Sequence, residues 1–239
     1  MTSTERWKEA QAAESEFWTG IPESTTREAL DVNRAEAEFL RSWVPQLPSP
    51  ELEIGVGGLG VGLVGFLPAN SLRIGTDPLP LVTPCCSDEL LKEVLARRQS
   101  LHFVRAAGER LPFQDRCIGL AVCYNVLDHV NDAPLVLGEI FRVLRPEGLL
   151  FLKVDTFSYL GLAKWHLWTK RAHANEILVR AHPYRFSGWA VKVLCRRAGF
   201  EIVRTEERGP LDRWVGRSFR SAFLARKPLG EAPMNASAS

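Results

Sequence analysis

The stretch Glu51–Asp77, ELEIGVGGLGVGLVGFLPANSLRIGTD, decides the fold. Leu52 and Ile54 open a buried strand. Gly55, Gly57, Gly58 and Gly60 make a turn that residues with side chains cannot follow sterically. Leu63, Val64 and Leu67 give a short helix an apolar side. Leu72 and Ile74 lead a second strand, which ends on Asp77. Such a unit suits a nucleoside. Bare glycines let a ligand approach the backbone, and a helix start offers free N–H groups. The terminal carboxylate can accept both ribose hydroxyls.

Two ligands compete for this unit. Gly55-Val56-Gly57-Gly58-Leu59-Gly60 fits the GxGxxG pattern of dinucleotide enzymes, with Asp77 at about the ~20-residue spacing that pattern expects. Glu53 argues the other way. A carboxylate two residues before the first glycine repels a pyrophosphate and attracts a cation. S-adenosylmethionine, with its sulfonium and ammonium groups, meets that requirement. Glu53 facing solvent at a strand end is the bland alternative.

Bulk properties narrow the field. With 239 residues, 46% of them hydrophobic, and a net charge of +2, the chain supports one sizeable core and a small appendage. The near-neutral balance gives no electrostatic footprint for nucleic acid. Cys85, Cys86, Cys117, Cys123 and Cys195 match neither a CxxC metal site nor a disulfide framework, so no metal is expected. A cytoplasmic setting follows from their free, partly apolar contexts and from an N-terminus without a signal-peptide apolar core. No run of ~20 apolar residues is present to span a membrane.

Elsewhere the chain alternates helix and strand. Helices are expected over Thr4–Trp18, Glu28–Val44, Asp88–Arg98 (capped by Ser87), from Asp132 onward, and from Ser187 to a C′ glycine at Gly199. Strands are expected at Leu101–Ala107, Cys117–Tyr124, Leu149–Val154, Glu201–Thr205 and Ser218–Ala225. The last two lack a helical link, which suits an antiparallel hairpin. The expected fold is α/β and Rossmann-like: a mostly parallel seven-stranded sheet with one antiparallel strand, helices on both faces and an N-terminal helical cap. The cap is residues 1–50, the ligand-binding domain 51–227 with an irregular, aromatic insertion at 156–185, and the tail 228–239 is expected to be disordered.

Four blocks in order resemble the class I S-adenosylmethionine-dependent methyltransferases, most closely the small-molecule branch around the ubiquinone and menaquinone biosynthesis enzymes. They are LEIGVGGLG (Leu52–Gly60), GTDPL (Gly75–Leu79), GERLPF (Gly108–Phe113) and LAVCYNVLDHVNDAPLVLGEIFRVLRPEGLLF (Leu120–Phe151). The resemblance implies S-adenosyl-L-methionine as cofactor. Gly55, Gly57 and Gly60 would lie under its methionine part and ribose, with Glu53 near its amine. Asp77 would take the ribose hydroxyls, with Pro78 and Leu79 beside adenine. Glu109 and Leu111 would border the adenine edge, and Asn125 and Val126 the methionine side. Two positions depart from the family pattern. Leu59 stands where a third glycine is frequent, and Ala107 where an acid often meets the adenine amino group.

Methyl transfer from a sulfonium is a displacement, so the protein mainly positions the acceptor and excludes water. A hydroxyl acceptor also needs a base. His182, in HPYRFS, and His129, just past the fourth strand, are the candidates, with hydrogen-bonded support as the bland role for either. The expected reaction is O-methylation of a small-molecule acceptor such as a sugar, lipid-linked or natural-product-like compound. The alternatives are an NAD(P)-dependent oxidoreductase and a non-catalytic partner subunit. Aromatic and basic residues of 156–185, among them Trp165 and Trp168, read as an acceptor lid, as bland packing, or as a peripheral membrane contact. The oligomeric state is not legible.

Overall fold

The computed structural model describes residues 3–68, 71–171, 184–207, 209 and 218–230. Its seven strands are β1 (Glu51–Ile54), β2 (Arg73–Asp77), β3 (His102–Arg105), β4 (Ile118–Tyr124), β5 (Leu144–Thr156), β6 (Glu201–Glu206) and β7 (Phe219–Arg226). They form one sheet in the order β3-β2-β1-β4-β5-β7-β6. Only β7 runs against its neighbours, pairing antiparallel with both β5 and β6. The helices are α1 (Ser3–Trp18), α2 (Glu23–Trp43), α3 (Asp88–Gln99), α4 (Ala133–Val143), α5 (Tyr159–Arg171) and α6 (Gly188–Arg197).

Alternation along the central strands builds the two layers. Leu52 and Ile54 of β1, Ala121 and Cys123 of β4 and Leu150, Leu152 and Val154 of β5 face α4 and α6 in one cluster. Leu120, Val122 and Phe151 point the other way, onto Ala37, Leu40 and Val44 at the end of α2. A third cluster joins Ile21, Leu30, Leu59, Val61, Leu90 and Val94, anchoring α2 and α3 beside the glycine turn. Central strands buried on both faces explain why they read as unbroken apolar runs.

Several elements differ from expectation. The helix after the glycine turn is a single 3-10 turn, Leu63–Phe66. Gly62 and Gly65 weaken longer helical propagation there. Arg73 supplies a tertiary cap instead, its Nη1 donating to Leu67 O at 2.8 Å. Helix α2 starts at Glu23, five residues before the expected Glu28, because Pro22 takes the N-cap position with extended backbone. Ser87 does not cap α3 with its side chain. Its hydroxyl is drawn to Glu23 Oε1 at 3.1 Å, which ties α3 to α2. Part of the insertion expected to be irregular forms α5. Asp132 caps α4 through Leu135 N, and Gly199 closes α6 with φ +97°. Among the described residues, no helix is long and apolar enough to cross a membrane.

Candidate functional site

A cavity of about 530 Å³ opens at the carboxyl ends of β2, β1 and β4. Connections leave β1 and β4 there in opposite directions, which is where open α/β sheets bind ligands. Its floor begins where β1 ends. Gly55 and Gly57 adopt φ of +77° and +70°, a region costly for residues with Cβ. Space also demands glycine at both. An added Cβ on Gly55 would lie 2.2 Å from Val126 Cγ2, and one on Gly57 would lie 2.6 Å from the Trp18 ring. Gly60 also has positive φ, but it packs on Leu81 and shapes the turn outside the cavity lining.

Two buried carboxylates stand at the turn. Asp77 Oδ2 accepts from Gly57 N at 2.8 Å and Oδ1 from Leu79 N at 2.9 Å. Each oxygen thus keeps accepting capacity. Burial pushes the Asp77 carboxyl up to about 6, against those two N–H groups, and nearby Glu14 adds to the rise. Glu53 does not face solvent. It is 2% exposed and lines the cavity. Its Oε2 accepts from Val64 N at 2.9 Å, so it closes the start of the 3-10 turn from below. Burial pushes it up to about 7, the backbone N–H groups of Val64 and Leu63 pulling down. The carboxylate fits only because residue 62 lacks a side chain: a Cβ there would lie 2.1 Å from Glu53 Oε2.

Other residues singled out from the sequence divide. Pro78 and Leu79 form one wall with Ala106, Ala107 and Gly108. Glu109 also lines the cavity, and its Oε1 accepts from Asn131 N at 2.8 Å and Asp132 N at 3.3 Å, tying it to the start of α4. Leu111 does not line the cavity but sits in the main core, 3% exposed. Asn125 and Val126 are in the lining, and Asn125 holds φ +54° immediately after β4. Such backbone costs energy and clusters at ligand sites. His182 lies outside the described residues.

His129 reaches the cavity wall. Its Nδ1 is 2.9 Å from Glu14 Oε1 on α1, and its Nε2 is 3.8 Å from Asp128 Oδ2. The imidazole thus sits between two carboxylates, one of them delivered by α1. Trp7, Gln11, Phe17 and Trp18 of α1 complete that side of the cavity. At the far end, β4 and β7 contribute Tyr124 and Arg220.

Glu14, Gly62, Tyr124 and Arg220 escaped the sequence reading. Gly62 had a local signal, a further small residue continuing the glycine run. The other three sit on separate elements, with nothing in their neighbourhoods to mark them. The cavity lining includes the carboxylates Glu14, Glu28, Glu53, Asp77 and Glu109. Among the described lining residues Arg220 is the one arginine, and there is no lysine. No group of three His, Cys, Asp or Glu residues suited to a metal occurs among the described residues.

Residues 52–152 match the methyltransferase domain family. The ubiquinone/menaquinone biosynthesis C-methyltransferase of Xylella fastidiosa is 32% identical over 125 residues, which are 52% of this chain and 43% of the relative. The match thus spans less than half the length of that curated relative. Among solved structures, the carbon methyltransferase CurJ aligns with TM-score 0.56 at 20% identity, over 82% of this chain and 54% of the other. The [4+2]-cyclase SpnF aligns with TM-score 0.55 at 15% identity, over 82% and 81%. The fold is therefore shared by proteins of different named chemistries.

Proposed function

We propose that this chain, which carries a class I S-adenosylmethionine-dependent methyltransferase domain, moves the methyl group of S-adenosylmethionine to a small-molecule acceptor bound in the same cavity. One observation carries the reading: Glu53 is a buried carboxylate in a cavity rich in acids, with only backbone N–H groups as hydrogen-bond partners among the described residues. Such a group is costly to keep charged until a cation joins it. S-adenosylmethionine is cationic, whereas a dinucleotide pyrophosphate would be repelled.

Each residue then has a task. Asp77 holds the ribose hydroxyls with the accepting capacity its two N–H partners leave. Gly55 and Gly57 let the ligand lie on bare backbone. Pro78, Leu79 and Glu109 flank the adenine, while Asn125 and Val126 border the methionine part. When bound, the cofactor supplies a methyl group already activated by its sulfonium. The protein aligns the acceptor with it, and α1 covers the cavity against water. For His129, the carboxylates on either side of its ring favour a tethering role for the post-β4 loop over proton abstraction. His182 is the base proposed from sequence.

The acceptor carries a hydroxyl, and the methyl goes either to that oxygen or to a carbon the oxygen activates. The relative named as a C-methyltransferase supports the carbon version. Titration calorimetry with S-adenosylhomocysteine and with NAD tests the cofactor. Binding of NAD without S-adenosylhomocysteine overturns the reading. Label transfer from methyl-labelled S-adenosylmethionine into a small-molecule extract tests the enzyme. Tight cofactor binding with no labelled product rejects catalysis and leaves a partner subunit.

A further inference from the structure

Tyr124 ends β4 and Arg220 is the second residue of β7, so both stand on the carboxyl edge of the parallel strands, and both line the cavity. Arg220 Nη1 donates to Tyr124 Oη at 2.7 Å, and Arg220 Nε donates to Asp155 Oδ1 at 3.1 Å. The pairing Asp155↔Arg220 across β5 and β7 fixes that second bond. A guanidinium has no acceptor, so the Tyr124 O–H proton must point elsewhere. Among the described residues it meets no acceptor, and Arg220 Nη2 has no hydrogen-bond partner. The ring of Tyr124 is packed against the α2 side of the core, which holds its hydroxyl in place. Burial raises the phenol above its ordinary range while Arg220 pulls it back, so it stays a proton donor at neutral pH.

The charge pattern gives this pair a direction. Glu53 on β1 and Asp77 on β2 make one end of the cavity acidic. The lining's sole described arginine stands beyond β4, on β7. A cationic ligand is drawn to the first end and an anionic oxygen to the second. Asp155 offsets part of the Arg220 charge, which leaves a site for one oxyanion rather than for a phosphate dianion.

We propose that the Tyr124 hydroxyl and Arg220 Nη2 form a two-donor site for an acidic acceptor oxygen, and that the acceptor is a phenol or enol bound as its anion. This rests on the methyltransferase reading and names its substrate class. Tyr124 is the acceptor-binding group. Arg220 is in part a positioning residue, acting through the phenol it polarises.

4-Nitrophenol, whose anion absorbs visibly and whose neutral form does not, tests the site directly. Binding is read at slightly acidic pH with S-adenosylhomocysteine present. The wild type should bind it and raise the anion absorbance, and should bind 4-nitrobenzyl alcohol at least roughly tenfold more weakly. Tyr124→Phe and Arg220→Met should each lose the anion signal and about tenfold or more in affinity for 4-nitrophenol. Arg220→Lys should recover the anion signal in part. S-adenosylhomocysteine affinity should not move in any variant. Absence of 4-nitrophenol binding, binding in the neutral form, or equal binding by wild type and Tyr124→Phe overturns the proposal. Failure of the wild type to bind S-adenosylhomocysteine overturns the methyltransferase reading instead. Tyr124→Phe keeps the packed ring, so it remains informative if the Arg220 variants fold poorly.

Discussion

Asp77 joins two jobs that are usually separate. It is the ribose-binding acid of the proposed site, and it also holds the glycine turn through Gly57 N and Leu79 N. Asp77→Ala should therefore weaken S-adenosylhomocysteine binding by about 1.5–3 kcal/mol and lower folding stability by about 1–2 kcal/mol. Calorimetry and urea unfolding measure the two, and unchanged affinity would take Asp77 out of the site. Gly62 and Glu53 form a second coupled pair, since any side chain at 62 collides with the Glu53 carboxylate. Gly62→Ala should cost about 1–3 kcal/mol of stability, as overpacking does. In a double-mutant cycle with Glu53→Ala, part of that cost should disappear. Strict additivity would mean that the carboxylate simply moves aside.

At the scale of elements, α1 belongs to the site. Trp18 lies over Gly57 and Gly58, and Glu14 reaches His129 on the loop after β4. Helix α1 is thus fastened at two points beside the cavity. Trp18→Ala should loosen that cover and weaken S-adenosylhomocysteine binding roughly tenfold, which is the scale of losing one large apolar contact. Glu14→Gln and His129→Asn should each have a similar but smaller effect. Their double mutant should fall short of the sum, because both break one contact. Full additivity in thermal shift and affinity would show that the pair does not fasten α1. The 3-10 turn after Gly62 matters in the same way. By starting at Leu63 it leaves Val64 N for Glu53, and by ending at Phe66 it leaves the carbonyl of Leu67 for Arg73.

The whole molecule carries a pH signature. Glu53 and Asp77 have folded-state values of about 7 and about 6, both raised by burial from 4.5 and 3.8. A raised carboxyl means that the folded protein holds protons the unfolded chain releases. Its stabilising effect is full below the unfolded value and is lost as pH rises through the folded one. Ligand-free stability should therefore fall between about pH 4 and 7, over about pH 4 to 6 for Asp77 and about pH 4.5 to 7 for Glu53, by up to about 3 kcal/mol for each group. A cationic cofactor reverses this, because it favours the charged Glu53. S-adenosylmethionine should raise the melting temperature more at pH 8 than at pH 5.5, and Glu53→Gln should flatten both trends. Thermal scans across pH, with and without cofactor, measure this. A ligand-free stability that rises over the window would contradict it.

The glycine spacing, Asp77 at the end of β2 and the alternation of helix and strand determined the sheet, its single antiparallel strand and the cavity wall around the glycine turn. These signals are local: positive φ needs glycine, strand ends need turn residues, and buried parallel strands read as apolar runs. Tertiary structure decided the rest. It buried Glu53 under the 3-10 turn, sent Leu111 into the core and Gly60 outside the lining, and brought Glu14 to His129. It also set Arg220 beside Tyr124, 96 residues away in the chain. Each of these depends on how separate elements pack, and a side chain's partner across the fold leaves no trace in its own neighbourhood.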